Sequence, residues 1–164
     1  MSSNRKSLYI MVGIPGSGKS TWLKNNVINP KAAIVSRDVI RYALLKEEDN
    51  YFDKESLVYN RFIMTIHAAL SDSNIDTVYA DATHLTIRSR AKILNALKGS
   101  IARNNVDVFA VYFDISFKTC MERNALREGR ACVPSAVMRR MNEQFEIPTV
   151  DEGFQDIIVI KERE

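Results

Sequence analysis

The chain has too little cysteine for a disulfide framework or a zinc site: Cys120 and Cys132 are its only two, with no second pair and no flanking histidines to complete a ligand set. Both are expected to be reduced thiols, and neither carries a catalytic assignment. No apolar stretch approaches the ~20 residues that a membrane-spanning helix needs. The lead, MSSNRKS, is short and polar, without the apolar core of a secretion signal. A cytoplasmic protein is expected. Internal repeats, low-complexity tracts and linkers are missing as well, which predicts one domain over 1–164 and leaves no room for a second catalytic unit. A chain of 164 residues buries roughly two thirds of its unfolded surface without staples. Its 46% hydrophobic and 26% charged content is that of a globular domain.

The net charge of +3 is too small to identify a nucleic-acid partner by itself, yet it is unevenly spread. Residues 88–103 hold five basic side chains and no acidic one, and residues 118–140 hold six basic against two acidic. From Glu143 to Glu164 the balance turns acidic. For 88–103 a solvated helix face and an anion-binding face both remain open.

Short β-branched or aromatic runs recur at Leu8 to Val12, Ala32 to Ser36, Thr77 to Ala80, Val106 to Phe113 and Ile157 to Lys161, separated by segments with helical spacing. Strand–helix alternation of this kind predicts an α/β fold: a five-stranded parallel sheet flanked by helices, with ligands at the carboxyl ends of the strands. Helices are expected over Val39 to Leu45, Glu55 to Leu70, Ile87 to Leu97 (ending near Gly99) and Phe117 to Leu126, and one is opened by Pro134 and runs to about Phe145. Leu57, Val58, Phe62, Ile63, Ile66 and Leu70 form one apolar face of the second of these. Lys46 to Lys54 (KEEDNYFDK) reads as a polar loop.

The first strand runs into GIPGSGKST, and each position of that turn has a mechanical reason. Glycines at Gly13, Gly16 and Gly18 let the backbone turn tightly around Pro15 and Ser17 and aim successive N–H groups at phosphate oxygens. The helix that follows adds the positive end of its dipole. Lys19 would bridge the outer phosphates, Ser20 would hand its hydroxyl to Mg²⁺, and Thr21 follows in the first turn. A nucleoside-triphosphate site is expected, with ATP or another nucleoside triphosphate as the phosphoryl donor.

Three further strand tips or helix ends carry chemistry. SRDVIR sets Arg37, Asp38 and Arg41 at a helix start; Asp38 is open to a helix-capping role and to that of a base deprotonating an acceptor hydroxyl. The two arginines are open to binding acceptor phosphate or to ion pairs with nearby glutamates. VYADATHL puts Asp81 at a strand tip as the carboxylate that holds a Mg²⁺ water, followed by Thr83, which either binds the acceptor or caps a turn. His84 is more simply a packed or surface residue. MERNALREGRACVP has the composition of a mobile lid, about 123–134. Within it Arg123 and Arg127, four apart, would share a helical face and meet the charge on the transferring phosphate.

Taken together, GIPGSGKSTW, SRDVIR, ADATHL and RNALREGRACVP, in this order and spacing, resemble the kinase domain of phage and bacterial polynucleotide 5′-hydroxyl kinases and related small P-loop kinases. The resemblance covers nearly the whole chain. It implies a three-layer P-loop kinase fold with a helical lid, Asp38 as the general base, Arg41 and Thr83 on the acceptor nucleotide, and Arg123 and Arg127 on ATP. Nucleic-acid 5′-hydroxyl ends are the implied acceptor, while small P-loop kinases that act on nucleosides, sugars, antibiotics or nucleotide-sugars keep a small-molecule hydroxyl open. ADATHL departs from the pattern at His84, where asparagine is commoner.

Overall fold

The computed structural model describes residues 4–163. Its five strands are β1 (Lys6–Val12), β2 (Ala32–Ser36), β3 (Thr77–Asp81), β4 (Val106–Asp114) and β5 (Ile157–Lys161). They are all parallel, in the order β2-β3-β1-β4-β5, so the first strand lies at the centre and the chain reverses its direction of winding beside it. That reversal opens a crevice at the carboxyl ends of β1 and β3, which is where open parallel sheets bind ligands.

Six helices flank the sheet: α1 (Lys19–Asn26), α2 (Arg37–Leu44), α3 (Glu55–Ser71), α4 (Ile87–Arg103), α5 (Phe117–Ala125) and α6 (Ser135–Gln144). Because side chains alternate along a strand, β1 feeds both faces. Leu8, Ile10 and Val12 pack with Phe62, Ile66 and Leu70 of α3 and Ile93 and Leu97 of α4. Met11, on the other face, packs with Leu23 of α1 and with Val111 and Phe113 of β4. A third cluster of Ile14, Cys120, Val133 and Met138 sits under the segment joining α5 to α6.

Two helical expectations are corrected. Gly99 does not end α4, which runs on to Arg103. The stop lies at Asn104 and Asn105: Asn104 donates its N–H to the Ser100 carbonyl, and Asn105 adopts a left-handed φ of 54° suited to the residue after a helix. Leu57 is 48% exposed and leaves the apolar face of α3, whose buried stripe is Val58, Phe62, Ile63, Ile66 and Leu70. Pro134 precedes α6 as its N-cap, where a missing N–H costs nothing.

Candidate active site

The turn after β1 is built by backbone geometry before any side chain acts. Gly16 has φ 83°, and a Cβ there would sit on the Cys120 carbonyl oxygen, so only glycine fits between this turn and α5. Gly13 donates its N–H to the Thr83 carbonyl at 3.0 Å, fastening the turn to the loop after β3. Gly18, also left-handed, starts α1 without a side-chain cap, which leaves the first-turn amides free to meet an anion.

Lys19 curls over this turn, donating to the carbonyls of Gly13 at 2.8 Å and Ile14 at 3.1 Å. Burial pulls its pKa down to about 8, with Arg127 adding to the shift and Asp81 opposing it. A polyanion would offset that burial cost by favouring the charged form of the lysine. Ser20 points its hydroxyl at Asp81 Oδ2, 3.4 Å away. Asp81 is 8% exposed, and burial raises its pKa. A hydroxyl and a carboxylate are the hard oxygen donors that Mg²⁺ takes when phosphates complete its shell, so this pair fits that ion.

Facing the turn across a cavity of about 170 Å³ is the start of α2. The cavity wall brings together Pro15, Gly16, Gly18, Lys19, Ser20, Thr21, Arg37, Asp38, Arg41, Asp81, Thr83 and Arg127. Gly13 and Ser17 lie outside that wall, Ser17 buried within the turn. The N-cap of α2 is Ser36, whose hydroxyl accepts from the Val39 N–H; the capping role open to Asp38 therefore belongs to Ser36, two residues earlier. Asp38 Oδ1 accepts from Arg41 Nη1 and from the Tyr51 hydroxyl, the latter at 2.5 Å. Its Oδ2 has no hydrogen bond among the described residues.

Arg41 is 4% exposed and donates to Glu55 and to Tyr51, with its guanidinium 4.2 Å from the Tyr51 ring centre. Arg37 also pairs with Glu55, at 2.8 Å. The ion-pair alternative is thus realised in both arginines, and both still line the cavity. Tyr51, its pKa raised by burial and by Asp38, was hidden to sequence reading inside KEEDNYFDK. The adjacent aromatic pair Tyr51–Phe52 in an otherwise polar loop was the available signal.

On the third side lies the segment joining α5 to α6. Asn124, buried near the end of α5, donates to the Val133 carbonyl at 2.7 Å and accepts the Val133 N–H at 3.0 Å, pinning both roots of the segment between them. Helix α5 stops at Ala125, so Arg127 lies beyond it and does not share a helical face with Arg123. The two arginines reach opposite sides of the phosphate turn. Arg127 lines the cavity, while Arg123 Nη1 approaches the Gly16 carbonyl at 3.4 Å and borders a groove on the α1 side.

Arg130, within that segment, donates to the carbonyls of Lys46 at 2.9 Å and Asp49 at 2.8 Å. This ties the segment joining α5 to α6 to the loop that carries Tyr51. Arg130→Ala is expected to raise amide hydrogen exchange about fivefold in both 125–132 and 46–54, while β1 and β4 stay unchanged, because roughly 1 kcal/mol of latch is lost from segments that open locally. Exchange read by mass spectrometry checks this; a change confined to one segment would mean the two are not coupled.

Two arginines of the basic 88–103 stretch part company here. Arg88 lies in the first turn of α4 and is exposed. Arg90 is fully buried, donating twice to Glu152 and once to the His84 carbonyl, so it is structural and reaches no ligand. His84 itself is buried, its Nδ1 2.6 Å from the Met11 carbonyl.

The same fold occurs in solved proteins. A fungal RNA kinase superposes with a TM-score of 0.71 at 16% identity over 100% of this chain and 78% of its own. A chain of the Pnkp1/Rnl/Hen1 RNA repair complex gives 0.68 at 19% identity over 86% of this chain and 44% of its own. A sugar kinase from Janibacter sp. gives 0.63 at 17% identity, covering 96% and 85%. At these identities the likeness is one of fold, and it fits the five-stranded parallel sheet of a P-loop kinase. The profile of the AAA domain family matches residues 8–148, which takes in the phosphate turn, the Asp38 helix and the segment joining α5 to α6, and the chain belongs to that family.

Proposed function

We propose that this chain is a kinase that moves the γ-phosphoryl group of ATP, or of another nucleoside triphosphate, to the 5′-hydroxyl end of DNA or RNA. The observation that carries the reading is the disposition of Asp38: one carboxylate oxygen is fixed by Arg41 and Tyr51, the other makes no hydrogen bond among the described residues, and the residue lines the cavity that Lys19 shares. That is a base held in orientation by third groups, opposite a phosphate cradle.

In this reading the turn amides and Lys19 grip the β and γ phosphates. Ser20 and Asp81 would hold Mg²⁺, which when bound neutralises charge on the β and γ oxygens. Asp38 accepts the proton of the acceptor hydroxyl as that oxygen bonds to the γ-phosphorus, and the bond to the β,γ-bridging oxygen breaks to release the nucleoside diphosphate. Arg127 from the cavity and Arg123 from the α1 side meet the charge on the departing and transferring oxygens. Arg37, Arg41 and Thr83 face the acceptor. The groove beyond the turn, bordered by Thr21, Trp22, Asn25 and Arg123, has room for the donor's base.

A small-molecule hydroxyl is the second reading, favoured by the modest 170 Å³ of the cavity. Incubation with Mg²⁺, γ-labelled ATP and either a 5′-hydroxyl oligonucleotide or a pool of nucleosides and sugars separates them. The polymer reading expects label on the oligonucleotide, and a rate that falls steeply with added salt as phosphate contacts release counterions. Label confined to the small-molecule pool would sink it.

A further inference from the structure

Among the described residues, three buried side-chain atoms have no hydrogen-bond partner: Arg37 Nε, Tyr59 Oη and His84 Nε2. The residues that carry them all line one cavity of about 310 Å³, between α3, the loop after β3 and the start of α4. A buried polar group left unpaired costs about 1–3 kcal/mol, and native domains keep such groups few. Three around one cavity is a pattern that calls for a partner.

The chemistry of that partner can be read from the atoms. The Met11 carbonyl only accepts, so His84 Nδ1 carries the proton facing it and Nε2 presents a lone pair that wants a donor. Arg37 Nε–H is donor only, its Nη2 already committed to Glu55. Two cations flank a single ring: Lys92 Nζ lies 4.3 Å and Arg37 Cζ 5.6 Å from the centre of Tyr59. Lys92 makes no ion pair among the described residues, and no carboxylate lines the cavity. A ligand suited to it is an anion that also carries a hydroxyl or N–H. Position narrows the choice further, because Arg37 and Thr83 line both this cavity and the one that holds Asp38.

We propose that this cavity is a subsite for the second nucleotide of the acceptor, with its phosphate between Arg37 and Lys92 and a sugar hydroxyl or base N–H on His84 Nε2. The assignment rests on the polynucleotide reading above. It makes the enzyme a reader of chain length: an acceptor that stops after one nucleotide leaves the cavity unused, and one that continues fills it.

Two probes test this on the full chain by titration calorimetry: a nucleoside 3′-monophosphate, and a 5′-hydroxyl dinucleotide with a terminal 3′-phosphate. The dinucleotide is expected to bind about tenfold tighter, roughly one good charged contact. Lys92→Gln, on the surface, and Tyr59→Phe, isosteric in the cavity wall, are each expected to cut that advantage to about twofold or less and to leave the monophosphate affinity unchanged. A dinucleotide advantage that survives both variants, or none in the wild type, overturns the subsite and leaves the three atoms to water. If neither nucleotide binds while a small hydroxyl compound is phosphorylated, the polynucleotide reading falls and the subsite falls with it.

Discussion

Asp38→Asn is expected to lower kcat for phosphoryl transfer by about 10²–10⁴-fold, the usual worth of a general base, while ATP affinity stays within about twofold. The substitution is close to isosteric and keeps an oxygen that can accept from Arg41 and Tyr51, so the anchoring of Oδ1 survives. What disappears is the ability of Oδ2 to take a proton. Lys19→Ala sets the contrast. The ammonium that bridges Gly13 and Ile14 in this structure is the group best placed to transfer to a phosphate, and its loss should abolish nucleotide binding along with turnover. Single-turnover rates with saturating ATP, beside ATP titrations of each variant, separate the two effects. An Asp38→Asn enzyme within threefold of the wild-type rate would remove Asp38 from the chemistry and leave it a partner of Arg41.

The strands were legible because a parallel sheet covered on both faces needs continuous β-branched or aromatic runs. The runs at Ala32 to Ser36 and Ile157 to Lys161 are the observed β2 and β5. Helix ends were harder. Gly99 looks like a stop, but Arg103 lies along it and the left-handed Asn105 ends the helix instead. On the site, residues with an intrinsic local meaning were readable: glycines at tight turns, a lysine and hydroxyls after them, carboxylates at strand tips. Residues whose role depends on distant partners were not. Tyr51 matters because the loop after α2 folds back onto Asp38, and Asn124 because it reaches Val133 nine residues on. Arg88 and Arg90 are alike in sequence, yet only folding shows that Arg90 is consumed by Glu152.

His84 should make this protein acid-sensitive. It is buried with Nδ1 on the Met11 carbonyl, beside Phe62, and burial lowers its pKa to about 4, with Arg37, Lys19 and Arg90 adding to the shift and the Met11 contact opposing it. An unfolded histidine titrates near 6.5, so between the two values the unfolded chain binds a proton that the folded one refuses. Stability is therefore complete above about pH 6.5 and is lost as the pH falls toward 4. The loss from this one residue amounts to about 3 kcal/mol, or on the order of 10 °C in Tm for a domain of this size. Carboxylates also titrate in this range, so the decisive quantity is a difference. In His84→Asn the group no longer ionises, and asparagine tolerates the left-handed φ of 46° that this position imposes. The variant is expected to lose some packing against Phe62 at pH 7 and to overtake the wild type as the pH approaches 4. Urea unfolding of both proteins across pH 7 to 4 measures the gap; parallel curves would mean that His84 is free to protonate in the folded state.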